Sequence, residues 1–283
     1  MRFISFRRAG ADHIGIQQGD DVVDLSAATG CTDLGAALRK LGADGLRRAA
    51  AAATQRHALR EIDAYRPAVA DPQRIFCVGL NYEEHRVEAG RNRTAHPTIF
   101  LRLPSSQVGH MAPIVVPAEA ANGLDFEGEI ALVIGKSGRR IAEHDAARHI
   151  FGFSAYNDAS ARDWQSHSTQ WTAGKNFPDT GAFGPALVDT EDVAADAVLT
   201  LETRLNGVTM QHADTSMMIF PMPELVAYVS RFCELLPGDV IVTGTPGGVG
   251  FKRTPPVLMH AGDIVEVEVG GVGLLRNPVA QED

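Results

Sequence analysis

A chain of 283 residues with 45% hydrophobic content can build one large domain, or one domain with a small appendage. Its formal charge of −9 works against nucleic acid and anionic membrane as partners. Three widely spaced cysteines, Cys31, Cys77 and Cys233, exclude a disulfide framework or a C-x-x-C site and point to a reducing, cytoplasmic compartment. The start lacks the long apolar core of a signal peptide, and no run reaches the roughly 18 apolar residues of a membrane span.

The first thirty residues alternate short apolar runs with Gly-Asp turns, which predicts strands over 3–6, 13–17 and 22–25. Residues 34–66 are helical in composition, with Arg47, Arg48, Arg56 and Arg60 expected on a solvated helix face. Pro67 and Pro72 bracket a linker. The predicted organisation is a small N-terminal module over 1–70 and a catalytic domain over 71–283.

A buried strand over 74–80 ends at a glycine-containing turn. Asn81 suits an N-cap, Glu83 and Glu84 suit a first helical turn, and Gly90 suits its end. On that short helix His85 and Glu88 stand i, i+3 and share a face. A carboxylate beside an imidazole fixes its tautomer and raises its basicity, as a general base requires. The alternative is an exposed surface pair, which an arbitrary His-x-x-Glu usually is; the position after a strand and a glycine, where active-site loops lie, moves the reading part of the way towards the dyad. The following loop carries Arg93, His96 and Arg102 without a specific pattern, and His110 is expected at the surface. A strand is predicted over 114–116.

Residues 124–136 read Leu-Asp-Phe-Glu-Gly-Glu-Ile-Ala-Leu-Val-Ile-Gly-Lys. The apolar run 130–134 predicts a strand buried on both faces. Asp125, Glu127 and Glu129 occupy every second position before it, hence one face. Burial and mutual repulsion both oppose ionisation of such a set, and a divalent cation between them resolves the conflict. A solvated strand end is the alternative, and spacing alone does not choose among the three acids.

A helix is predicted over 141–150 and a strand over 152–156. Asp158 at its end is a further carboxylate candidate, or an ordinary N-cap. Helical spacing puts Arg162 and Gln165 on its face, where they suit a carboxylate or oxo substrate. Lys175, in the polar loop 169–177, can hold an oxyanion or face solvent. Asn206-Gly207 marks a hairpin, and Met217, Met218 and Met222 read as core filler before a helix over 223–236. The strand 240–243 ends in Gly-Thr-Pro-Gly-Gly-Val-Gly, residues 244–250, which fits neither a Walker nor a dinucleotide pattern. It reads as a plain loop whose amides approach a small anion. The last predicted strand covers 264–269. Many strands and few helices predict a β-rich α+β fold.

Taken together and in order, Asn81-Tyr82 with His85 and Glu88, the Asp125–Glu129 segment, Asn157-Asp158 with Arg162-Asp163 and Gln165, Gly174-Lys175 and the loop 244–250 resemble the fumarylacetoacetate hydrolase family, over roughly residues 70–280. The resemblance implies a mixed β-sandwich roll core, a homodimer, and Mg²⁺ or Mn²⁺ held by Glu127, Glu129 and Asp158. It implies His85 and Glu88 as the catalytic dyad on a mobile lid, Lys175 at an oxyanion, and Arg162, Gln165 and Thr245 around a small-molecule 2-oxo acid substrate. Asp125 is left behind the ligand set or at the surface. Enzymes named for fumarylacetoacetate carry an extra acidic ligand where this chain has Val78, so the chain resembles the shorter, bacterial, acylpyruvase-like branch. The implied activity is metal-dependent hydrolysis of a C–C bond in a 2,4-dioxo acid, such as fumarylpyruvate in aromatic catabolism, giving pyruvate and a carboxylic acid. Decarboxylation of oxaloacetate, or keto–enol or hydroxymuconate-type isomerisation, is the alternative that the same enolate chemistry serves. A catalytically silent 2-oxo-acid or metal-binding protein is disfavoured by the intact His85 and Glu88.

Overall fold

The structure is a computed structural model that describes residues 1–120 and 122–282. Strand Gly128–Ile134 is buried along its whole length, as is its antiparallel neighbour Ile150–Asn157. Side chains alternate between the faces of a strand, so an unbroken apolar run needs cover on both. Ile130, Leu132 and Ile134 pack in one cluster with Val265 and Val267 of a second sheet and with Leu225, Val226 and Val229 of helix Met222–Phe232. Ala131 and Val133 point the other way, into a cluster with Leu34, Ala37, Leu38 and Leu46 of helix Leu34–Ala52. Each buried Ile, Leu or Val side chain stabilises the fold by roughly 1.5–3 kcal/mol, which fixes the register here.

The main sheet runs Arg56–Ala58, Asp21–Asp24, Ala11–Gln18, Arg2–Arg8, Gly181–Asp189, Ile150–Asn157, Gly128–Ile134, Val240–Val242, Ile75–Gly79, Thr98–Arg102. The second runs Val208–Asp214, Thr200–Leu205, Ile264–Val269, Gly273–Gln281, Ile114–Val116. This is the β-rich α+β architecture read from the sequence. The first seventy residues extend the same sheet, because Arg2–Arg8 pairs antiparallel with Gly181–Asp189. The Met1 ammonium secures that junction, 2.8 Å from the buried Asp189 carboxylate and 2.6 Å from Asp192.

Several local expectations are corrected. Helix Leu34–Ala52 is kinked at Gly42, where φ is +68°, and stops short of the predicted 66. Arg56–Ala58 instead pairs with Asp21–Asp24. Arg47 leaves the expected solvated face to meet Asp189 at 3.1 Å. The segment predicted as a helix over 141–150 is a 3₁₀ turn over Glu143–His149, in which only Ala146 is buried; it has no apolar stripe to dock. Gly273–Gln281 is a strand that Pro278 hid, since proline cannot donate to a ladder. Asn206 and Gly207 both have positive φ, +53° and +78°, and close the predicted hairpin.

His110 is half-buried. Its ring meets Tyr65 edge-on at 5.0 Å, and its Nδ1 accepts from the Arg276 amide at 3.1 Å. Burial, with the Arg276 charge adding to it, pushes the imidazole down to about 4. The unfolded chain binds the proton near 6.5, so protonation favours unfolding. Stability is therefore expected to fall as pH drops from about 6.5 towards 4. Urea midpoints compared at pH 7 and pH 5 check this, and His110→Gln flattens the difference.

Candidate active site

Three backbone devices bring the acids together. Asp125 is held outside the ladder by a bridge to Ser160. The Glu127 amide donates to the Asn157 side chain at 3.0 Å, and the Asp158 amide donates to the Glu127 carbonyl at 2.8 Å. These bonds lay the end of strand Ile150–Asn157 against the start of Gly128–Ile134. One oxygen from each of Glu127, Glu129 and Asp158 then falls within 4.8 Å of the others, all buried.

Cations fill the space around them. Lys175, 1% exposed, places Nζ 2.6 Å from Glu127 Oε2, 2.6 Å from Asp158 Oδ2 and 3.1 Å from the Asp158 carbonyl. Arg162 Nη2 lies 2.6 Å from Glu127 Oε1 and 2.7 Å from Asp125 Oδ2. Arg102, with a fully buried side chain, donates to Asp158 Oδ1 at 2.7 Å. Burial opposes the charge of Glu127, but Lys175 and Arg162 outweigh it and hold the carboxyl well below its usual range. Glu129 is the opposite case. Burial, then the charges of Asp158 and Glu127, push it well above the carboxylate range. No cation forms an ion pair with Glu129 among the described residues, and the Gly244 amide donates to it at 2.6 Å.

The amides of the glycine-rich loop, expected to approach a small anion, are directed instead at the protein's own carboxyl groups. Gly244 N–H serves Glu129, Gly248 N–H serves Glu88 at 3.2 Å, and Gly250 N–H serves Asp125 at 2.7 Å. Gly244 and Gly248 take φ of +103° and +97°, which other residues resist. One loop thus braces the carboxylate strand and the segment that carries the dyad.

That segment is the helix Glu83–Glu88. Its N-cap is Tyr82, not the expected Asn81, whose side chain bridges the Phe220 and Thr243 carbonyls at 3.0 and 2.8 Å. Asn81 is a staple under the helix, not a cap on it. Buried His85 places Nδ1 3.4 Å from Glu88 Oε2. For Glu88, burial works upward, but His85 and the Gly248 amide prevail and lower its pKa.

A cleft of about 840 Å³ joins these parts. His85, Glu127, Glu129, Asp158, Arg162, Gln165, Lys175 and Thr245 all line it. Glu88 is the one predicted site residue outside its lining, and it reaches the cleft through His85. Two predicted substrate contacts are already engaged. The Thr245 hydroxyl donates to the Gly128 carbonyl at 2.9 Å and accepts from Gln211 at 2.8 Å. Arg162 Nη1 donates to Gln165 Oε1 at 2.8 Å, which turns the Gln165 amide NH₂ away from the guanidinium. Missed from the sequence were Arg102, Trp171 and Phe251. Trp171 lies so close to Gly79 that a Cβ there would stand 2.1 Å from its ring, so only glycine leaves this wall in place. Phe251 stacks on Arg162, 4.6 Å from guanidinium carbon to ring centre.

The residues fit a divalent metal. The donor set is all oxygen, as hard cations prefer. Four carboxylates, Asp125 included, meet three cations, so the cluster is one positive charge short of balance. The shortage is concentrated at Glu129.

Comparison with known proteins agrees. The model of the family described as fumarylacetoacetate (FAA) hydrolase C-terminal matches residues 74–280. The chain is 38% identical over 291 residues to the mitochondrial oxaloacetate tautomerase fahd2 of Xenopus laevis, covering 99% of this chain and 90% of that protein. It is 38% identical over 225 residues to oxaloacetate tautomerase YisK of Bacillus subtilis, covering 79% of this chain and 75% of the relative. Maleylpyruvate hydrolase from Sphingobium sp. SYK-6, solved with manganese(II) and pyruvate, superposes with a TM-score of 0.83 at 27% identity over 100% of both chains. Among the described residues no helix is long and apolar enough to cross a membrane. With the family's match reaching from Arg74 to Ala280 and its ordered motifs converging on one cleft, the chain belongs to the fumarylacetoacetate hydrolase family.

Proposed function

We propose that this protein interconverts the enol and keto forms of a 2-oxo dicarboxylic acid of the oxaloacetate type. The observation that carries the reading is near-full-length similarity to an oxaloacetate tautomerase, 99% of this chain against 90% of the relative. It displaces acylpyruvate hydrolysis as the first reading. Hydrolysis stays as the second, favoured by the likeness to maleylpyruvate hydrolase.

Glu127, Glu129 and Asp158 would hold Mg²⁺ or Mn²⁺. When bound, such an ion supplies electrostatic stabilisation to negative charge developing on the substrate's 2-oxo oxygen. The chain's own residues do the rest. Glu88 holds His85 by Nδ1, which leaves Nε2 to take the proton from C3 of the keto form and deliver it to the 2-oxygen of the resulting enolate, and to carry it back from that hydroxyl to C3 on the reverse path. Lys175 and Arg162 keep Glu127 ionised, so it does not compete for that proton. The Gln165 amide NH₂ offers a donor to a substrate oxygen. All the cleft's lining residues lie beyond residue 71, and we assign residues 1–70 a supporting role. A homodimer in the cytoplasm is the assembly we propose, and light scattering checks its mass.

The test follows the ultraviolet absorbance of enol-oxaloacetate. Ketonisation is expected to accelerate with Mg²⁺ or Mn²⁺, to cease with excess chelator and to return with metal. Acetylpyruvate and fumarylpyruvate should be consumed far more slowly. If both are cleaved to pyruvate while enol-oxaloacetate decays at its spontaneous rate, the hydrolase reading is the correct one.

A further inference from the structure

We propose that Asp125, which the site reading leaves without a role, is a positioning residue that fixes Arg162 and through it the presentation of Gln165 to the substrate. The choice of probe below rests on the metal-and-2-oxo-acid reading.

Asp125 is completely buried, and both of its carboxylate oxygens accept hydrogen bonds from parts of the site. Its Oδ2 accepts from Arg162 Nε at 2.8 Å and lies 2.7 Å from Arg162 Nη2 as an ion pair, a contact that ties one edge of the guanidinium to the carboxylate. Its Oδ1 accepts from the Gly250 amide at 2.7 Å, and its Oδ2 also accepts from the Phe251 amide at 3.2 Å. The same carboxylate therefore ties down the guanidinium and places the Phe251 ring that covers its face at 4.6 Å.

With Nε bonded to Asp125 and Nη2 in ion-pair contact with Asp125 and Glu127, the Nη1 of Arg162 holds Gln165 Oε1 at 2.8 Å. An amide whose oxygen is pinned can present only its NH₂ to the cleft. Arg162 lines the cleft but is anchored by these contacts, and the pinned Gln165 amide offers its NH₂ to the substrate. A lysine at 162 carries the charge but cannot meet Asp125, Glu127 and Gln165 together.

The experiment measures oxalate, a chelating dianion, binding by calorimetry to the full chain in saturating Mg²⁺, so it does not depend on which reaction is catalysed. Removal of a residue that orients a binding group is expected to weaken oxalate about 10- to 100-fold in Asp125→Asn. Arg162→Lys should cost a similar factor, and the double variant should be no weaker than the worse single one. In turnover of enol-oxaloacetate, KM should rise while kcat holds within about twofold, because the proton-moving dyad is untouched. Unchanged oxalate affinity in Asp125→Asn overturns the proposal, and so do losses that multiply in the double variant. If Asp125→Asn does not fold, the relay is read from its far end. Gln165→Leu should weaken oxalate in the wild-type background and do nothing in Arg162→Lys; the same loss in both backgrounds overturns the relay. Altered oxalate binding without any oxaloacetate turnover would retain the relay and discard the tautomerase reading.

Discussion

His85→Ala is expected to lower kcat for enol-oxaloacetate by about 10²–10⁴, the usual contribution of a positioned general base. Mg²⁺ affinity and melting temperature should change little, because among the described residues His85 bonds none of Glu127, Glu129 or Asp158. The variant thus separates proton transfer from metal binding. Steady-state kinetics with calorimetric Mg²⁺ titration decides it, and unchanged turnover would sink the dyad assignment. The pair also carries a pH sign. Glu88 is held below its ordinary 4.5, so the docking it gives to the Gly248 amide is present above that value. It is lost as pH falls further, through the folded-state pKa. Activity should accordingly fall on the acid side as the helix Glu83–Glu88 loosens from the glycine-rich loop.

Arg102→Leu is expected to be the most destabilising single change near the site. The guanidinium is completely enclosed, bonded to Asp158 Oδ1, the Ala159 carbonyl at 3.1 Å, Thr180 Oγ1 at 2.8 Å and Ser106 Oγ at 3.2 Å. Leucine leaves the Asp158 carboxylate buried beside Glu129 with one cation fewer. Removing one partner of a buried pair costs about 3–5 kcal/mol, a large part of the roughly 5–15 kcal/mol that holds a domain together. At about 2–4 °C per kcal/mol for a chain of this size, the melting temperature should fall by roughly 6–20 °C. Added Mg²⁺ should recover part of the loss, since a ligand that binds only the folded state stabilises it by mass action. A drop below about 2 °C would show that Asp158 does not depend on Arg102.

Arg102 also marks where sequence reading stopped. It sits in a stretch with no periodicity, and its partners Asp158 and Thr180 lie 56 and 78 residues away. Nothing local distinguishes it from the solvated arginines around it. Trp171 is similar, since its place in a turn is set by Gly79 on the distant strand Ile75–Gly79. His85 and Glu88, by contrast, are one helical turn apart, and a contact of that range is visible in spacing. The helix predicted over 141–150 failed for a related reason. Composition permitted a helix, but with only Ala146 buried nothing in the tertiary structure stabilised one.

The sequence by itself determined the β-rich class, the doubly covered strand Gly128–Ile134 and the clustering of acids before it, because strand periodicity is a local property. The order of its motifs also carried the family. Tertiary structure decided which charges answer those acids. Lys175 and Arg162 settle on Glu127, Arg102 on Asp158, and backbone amides of the glycine-rich loop on Glu129, Glu88 and Asp125. Spacing could not separate Asp125 from Glu127 and Glu129, since all three alternate alike along the chain. The fold separates them because the Ser160 bridge and the Gly250 amide keep Asp125 out of the three-acid group, while Glu127 and Glu129 converge on Asp158. In a buried site a carboxylate's role follows from the donors that long-range packing brings to it, and those donors come from elements that no local pattern connects.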